Sequence, residues 1–228
     1  MTAWPGWLEV PDPCAYPMKG LVLIGGGGHA RACIDVIRAE GQHEIAGILD
    51  KPELLGTRVL DVPVIGSDED IPELVKGQSS FLIAVGHLGE SGLRASIFGK
   101  LLDLKANLPI IVAPSAYVST HAVIGPGTII MHMAIVGPGA RLGGNVIVNS
   151  RALIEHDVIV GENCHVSTGA LINGGCVIGR GAFIGSGAVL KQGIIVGENA
   201  MLGMGTVIPS NVPPGVRIRS SNIVMEKS

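Results

Sequence analysis

From Val112 to Ile208 every sixth residue is a large aliphatic, seventeen positions without a slip, including Val136, Ile154, Val166, Ile178 and Leu190. Four residues after each comes a second apolar or small residue, such as Ala134, Ala152, Cys164, Ala170 and Cys176. A period of six fits neither the 3.6 of a helix nor a hairpin array with turns of variable length. It predicts a parallel β-helix, in which three short strands and three corners complete a coil of eighteen residues. The aliphatic and the small residue of each unit point inward. In eight of the seventeen units glycine directly follows the aliphatic, where a Cβ would crowd the corner. The run holds between five and six coils, which at one strand spacing per coil stand roughly 25 Å tall. One coil alone would be unstable, so the array folds as a unit. Handedness does not follow from spacing, because parallel crossovers are usually right-handed. Nor does the pattern exclude a purely structural solenoid.

Before the repeat the periodicity changes. Gly20 to Ile24 is an apolar run followed by Gly25-Gly26-Gly27-Gly28-His29-Ala30. Ala32, Cys33, Val36 and Ile37 then recur at helical spacing to Glu40, with Gly41 as the stop. Ile45–Leu49 and Phe81–Val85 read as strands, and Leu93–Leu104 as a helix. That alternation predicts a small parallel sheet with helices against it. Gly25-x-Gly27-x-x-Ala30, with Asp50 twenty-two residues after Gly28, matches a relaxed dinucleotide fingerprint. Physically it is a tight turn that presents backbone N–H groups at a helix N-terminus to phosphate oxygens. The alternative is a merely structural glycine turn. A nicotinamide dehydrogenase is disfavoured, since this segment has room for only about half of a full dinucleotide fold.

These patterns divide the chain into a proline-rich leader (1–17), a Rossmann-like α/β unit (18–111), a β-helix (112–213) and a tail (214–228). The leader carries Pro5, Pro11, Pro13 and Pro17 around Trp4 and Trp7, which excludes a helix there. Met18 stands just before the first credible element.

Composition narrows the partners. A net charge of −3 without a basic stripe disfavours nucleic acid and anionic membranes. Cys14, Cys33, Cys164 and Cys176 form no Cys-x-x-Cys pair, and the last two occupy the small inward slot as reduced core residues. With no apolar run of membrane length and no secretory start, the expectation is a soluble cytoplasmic protein. No histidine spacing suggests a metal-ligand cluster.

His121, His132, His156 and His165 lie in the repeat but on neither inward slot. A solvated polar corner accounts for His121 and His132. His156 differs, because it follows Glu155 and precedes Asp157. Carboxylates beside an imidazole favour its protonated form and so make it a better base, as acyl transfer to an amine or hydroxyl requires. His165 comes nine residues later, half a coil, so the two side chains leave opposite sides of the prism. One site using both must therefore lie between subunits.

The Gly-Gly-His-Ala turn, the hexapeptide repeat, and Ile-Glu-His-Asp followed by Cys-His-Val-Ser resemble bacterial nucleotide-sugar N-acetyltransferases of the bacillosamine and perosamine type. Sialic acid O-acetyltransferase relatives share this layout. The resemblance covers roughly residues 18 to 215. It implies a left-handed β-helix, a homotrimer, acetyl-CoA as co-substrate and no metal. It implies that His156 is a general base strengthened by Asp157, a position where the family often has Glu. It implies acetyl-CoA contacts at His165, Gly174, Ser186 and Met204. It places a nucleotide-sugar at Gly27, Gly28, His29, Asp50, Lys51 and Gly86, with His87 where relatives often carry Asn. The expected reaction is N-acetylation of a nucleotide-linked amino-deoxy sugar. The alternatives are O-acetylation of a sugar hydroxyl, as on a sialic acid, and a non-catalytic nucleotide-binding scaffold.

Overall fold

The computed structural model describes residues 20–86 and 92–220. The leader with its tryptophans, Cys14, Met18 and His87 lie outside the described residues.

The first unit is a five-stranded sheet built from the apolar runs. Strand β1 (Leu21–Ile24) is buried throughout and enters helix α1 (Gly28–Glu40) through the glycine turn. Helix α1 turns its Ala30, Cys33, Ile34, Val36 and Ile37 side inward and ends where Gly41 adopts the left-handed conformation. Strand β2 (Ile45–Leu49) follows, then a short antiparallel pair, β3 (Arg58–Val59) and β4 (Val62–Gly66), that the hydrophobic pattern did not announce. A short helix α2 (Ile71–Lys76), strand β5 (Ser80–Ile83) and helix α3 (Gly92–Asp103) complete the unit. The order β3-β4-β2-β1-β5 puts the parallel strands β1, β2 and β5 side by side, so their C-terminal ends line one edge.

The rest of the described chain is a left-handed parallel β-helix of two-residue strands running from Ile111–Val112 to Arg217–Ile218. Its three faces hold seven, six and five strands. Each strand pairs with the one eighteen residues on, as in Ile135 with Leu153 and Leu153 with Leu171. The inward residues from Ile130 to Val212 form one buried column, Cys164 and Cys176 included.

Two different constraints set the corners. The glycine directly after the aliphatic is demanded by the next coil: a Cβ on Gly125 would stand 2.5 Å from Gly143 C, and one on Gly185 2.6 Å from Gly203 C. A second constraint falls two residues later, where the backbone is left-handed at every sixth position from Gly127 to Gly205. Glycine, Asn145, Asn163, Asn199 and Asp157 occupy most of those positions, the residue types that tolerate positive φ.

The α/β unit sits on the seven-stranded face. Buried Leu21, Ile34 and Ile37 form one cluster with Ile111, Ile129 and Ile147 of the coils. His132 adds a polar link, 3.1 Å from Ser115 Oγ and 3.1 Å from Asp35 Oδ2 on α1. It is therefore more than a solvated corner.

Because inward residues of neighbouring coils share one unbroken column, a cavity in mid-stack cannot be filled by local collapse. Ile178→Ala should cost about 2–5 kcal/mol, read as a lowered denaturation midpoint with unchanged spectroscopic signature of the strands.

Candidate functional site

A cavity of about 770 Å³ opens where the glycine turn meets the seven-stranded face. Gly27, Gly28, His29, Asp50 and Gly86 line it from the α/β unit, and Asn149, His165 and Ser167 line it from the coils. It shares Gly25, Asp50, Val85 and Leu93 with a neighbouring cavity of about 320 Å³ that Lys51, Ser67 and Ile97 help to enclose. The six residues that the resemblance assigns to a nucleotide-sugar are thus brought to one place, at the C-terminal edge of a parallel sheet.

The turn fits an anion. A Cβ on Gly27 or Gly28 would meet nothing within 4 Å, so the N-terminus of α1 is open to approach. Asp50 defines the back wall: its Oδ2 accepts from Gly26 N–H at 2.6 Å and its Oδ1 from Lys51 N–H at 2.8 Å. At Gly26 a Cβ would reach 2.8 Å from that Oδ2, which explains the glycine.

His29 is a half-buried wall of the cavity with its Nε2 shielded from solvent, while His165 and Ser167 beside it are buried. Its ring lies 6.4 Å from that of His165, and its Nε2 has no hydrogen-bond partner among the described residues. Burial lowers its pKa from 6.5 to about 3, helped by the positive charge of Arg94 and by His165. Arg94 is 1% exposed and donates to Ile83 O and Val85 O, at 2.5 and 2.9 Å. A buried guanidinium thus holds the end of β5 and adds to the burial that keeps His29 neutral. Asn149 Nδ2 donates to His165 Nε2 at 3.3 Å, and Phe183 packs edge-on against the His165 ring. Asn149, Ser167 and Arg94 escape a reading by motif. The signal for the first two is a polar residue in the corner slot that glycine so often holds.

His156 lies elsewhere in the single chain. It sits on the corner between the six- and five-stranded faces, while His165 emerges from the seven-stranded face opposite. Asp157 Oδ2 is 3.0 Å from His156 Nδ1, which assigns the ring proton to Nδ1 and leaves Nε2 as the free acceptor. Asp157 has φ 58°, so it occupies a left-handed corner position. Glu155 stays local, its Oε2 accepting from His156 N–H at 3.3 Å. Gly174 is one coil above His156 on the same corner. Ser186 and Met204 lie on a different corner, Ser186 Oγ 2.9 Å from Ser167 Oγ and Met204 63% exposed. Of the four residues implied to contact acetyl-CoA, only His165 lines the cavity. Among the described residues no cluster of three or more His, Cys, Asp or Glu could hold a metal, and no helix is long and apolar enough to cross a membrane.

A family model described as the PglD N-terminal domain matches residues 20–101, and one described as bacterial transferase hexapeptide (six repeats) matches residues 175–210. The acetyltransferase domain of PglB from Neisseria gonorrhoeae FA1090, in complex with acetyl coenzyme A, is 34% identical, with 89% of this chain and 96% of that one covered at a TM-score of 0.82. PerB from Caulobacter crescentus, in complex with CoA and GDP-perosamine, is 32% identical, with 88% and 94% covered at a TM-score of 0.81. WeeI from Acinetobacter baumannii AYE, at 22% identity and a TM-score of 0.70, shares the fold. No curated protein matches the chain by sequence.

Below pH 6.5 an unfolded chain takes up a proton at residue 29 that the folded chain refuses until about pH 3. This contribution to stability is complete above pH 6.5 and falls by up to about 1.4 kcal/mol per pH unit below it. Denaturant titrations at about pH 7 and about pH 5 should show a smaller loss in His29→Asn than in the unmodified protein.

Proposed function

We propose that this chain, which belongs to the bacterial nucleotide-sugar N-acetyltransferases, transfers the acetyl group of acetyl-CoA to the amine of a nucleotide-linked amino-deoxy sugar through His156. Family membership rests on the 34% identity to the PglB acetyltransferase domain over nearly its full length. The site assignments rest on one observation above the others: the open glycine turn, Asp50 and His165 share a single large cavity.

In that cavity the N-terminus of α1 receives the diphosphate, whose charge the helix dipole and first-turn N–H groups favour. The neutral His29 beside them donates or accepts a hydrogen bond without adding charge. His156 Nε2 takes a proton from the amine as its nitrogen bonds to the thioester carbonyl carbon. The C–S bond then breaks and the proton passes from His156 to the departing thiolate, so atoms and charge balance. Asp157 on Nδ1 stabilises the imidazolium in between. Acetyl-CoA lies along the corner near Gly174 and against a neighbour's corner with Ser186 and Met204.

Two open faces support a trimer. Tyr117, Ile135 and Val207 stand exposed on the six-stranded face, and Val123, Ile159 and Ile195 on the five-stranded one, with His156 on the corner between them. A second and third copy cover these columns and bring one chain's His156 to another chain's cavity.

His156→Ala should lower kcat by on the order of 10²–10⁴-fold, followed as free thiol released from acetyl-CoA with a panel of nucleotide-linked amino sugars. Free sialic acid is the control, and turnover with it in place of the amino sugars would redirect the reading to O-acetylation. A loss below about tenfold would remove His156 from its role.

Mixing tests the shared site. His156→Ala and His165→Ala chains, each inactive alone, should regain roughly a quarter of the activity when coexpressed, because one site in four then joins two intact halves. A site contained within one chain would regain nothing.

A further inference from the structure

We propose that Gly139 and Gly174 are positioning residues that aim the His156 ring, one by making room for its carboxylate partner and the other by making room for the ring itself. The proposal rests on His156 being the base and adds what holds it in place.

The pair is stacked between two coils. Backbone bonds fix the spacing there: Asp157 N–H donates to Pro138 O at 3.0 Å, and Gly175 N–H to His156 O at 2.9 Å. The coils cannot separate to accommodate a side chain. The imidazole leans along the stack toward the following coil. A Cβ built on Gly174 would stand 2.6 Å from its Cε1 and 3.0 Å from its Cδ2, and nearer still to Nε2, the atom that must face the substrate. The carboxylate of Asp157 leans the other way. A Cβ on Gly139 would overlap its Oδ1 and come within 3.4 Å of Cγ.

Other glycines at this level do not behave so. Gly175, beside Gly174, would meet nothing within 4 Å. Gly125, Gly161 and Gly185 are forced by the backbone of the adjacent coil. At Gly139 and Gly174 the nearest obstacle is a side chain of the reactive pair. Gly174 has no positive φ, so its backbone accepts any residue and only the ring would object. The ring is half exposed and free to swing outward, which predicts a folded protein with a misaimed base.

Gly174→Ala should therefore lower kcat by about 10- to 100-fold while KM for either substrate changes by less than about threefold, the signature of a displaced group rather than a lost contact. The decisive arm is the same substitution in the His156→Ala background. There it should change the residual rate by less than about twofold, because the two residues act as one unit. An equal loss in both backgrounds would mean that the loss comes from the acetyl-CoA contact at Gly174 and not from the His156 ring, and would overturn the proposal.

A second readout needs no turnover. Nitrogen NMR of the His156 imidazole reports the Nδ1–H tautomer. Gly139→Ala should weaken that bias by pushing Asp157 off Nδ1, and Gly174→Ala should shift Nε2. Gly215→Ala, with the same left-handed backbone (φ 70°) and an open Cβ direction, should leave the spectrum unchanged. Unaltered His156 shifts in both test variants would overturn the proposal whether or not His156 is the base. Full activity in His156→Ala with shifted nitrogens would instead fault the assignment of the base and leave the positioning intact.

Discussion

Everything in the repeat half depends on the eighteen-residue stacking distance between coils. Ladder bonds such as Ile135 N–H to Ala152 O and Leu153 N–H to Ala170 O hold each coil one strand spacing from the next. That spacing makes the inward column continuous. It also removes the space for a Cβ at the corners that carry glycine and sets one left-handed residue at each corner from Gly127 to Gly205. A side chain that does useful chemistry on such a prism must grow from a corner or an outer face, and must find its room against the coil above or below. The His156–Asp157 pair meets this demand with glycine on both sides.

The same stacking explains why the α/β unit and the coils make one site. A face of two-residue strands presents its outer residues in straight columns. Where Ile111, Ile129 and Ile147 form the column, α1 packs against it. One coil further, at the rim of that contact, the column residue is His165. The glycine turn that begins α1 consequently opens onto His165, and the cavity follows from where an apolar column gives way to a polar residue.

How much of this was legible in the sequence varies with the kind of constraint. The inward residues were readable without ambiguity, because a strict period of six has few physical solutions. The α/β elements were readable within a residue or two at β1, α1 and β2, where apolar periodicity is strong. The pair β3–β4 was not, since two-residue strands around an antiparallel turn leave no periodic trace. Asp157 shows a subtler gap. Its identity was noted as a shorter acid than the family often carries, but its left-handed backbone is a property of the corner, and a second period of six in Gly, Asn and Asp was there to be seen. Arg94 was invisible, because nothing in a helical run of mixed residues says which cation will be buried.

The neutral state of His29 follows from the same economy of space. The glycine turn is open at Gly27 and Gly28, so it carries no side chain to shield the ring beside it. Burial beneath the coils and the fixed charge of Arg94 instead oppose protonation. If the turn takes a diphosphate as proposed, a charged imidazole there would bind it more tightly in the ground state without favouring the reaction, which gains only from interactions that strengthen as bonds change. The positive potential is placed deeper, on a guanidinium bonded to backbone carbonyls at the end of β5. The fixed positive charge thus stands behind the cavity wall, and among the described residues His156 is the imidazole on a coil corner whose Nδ1 faces a carboxylate.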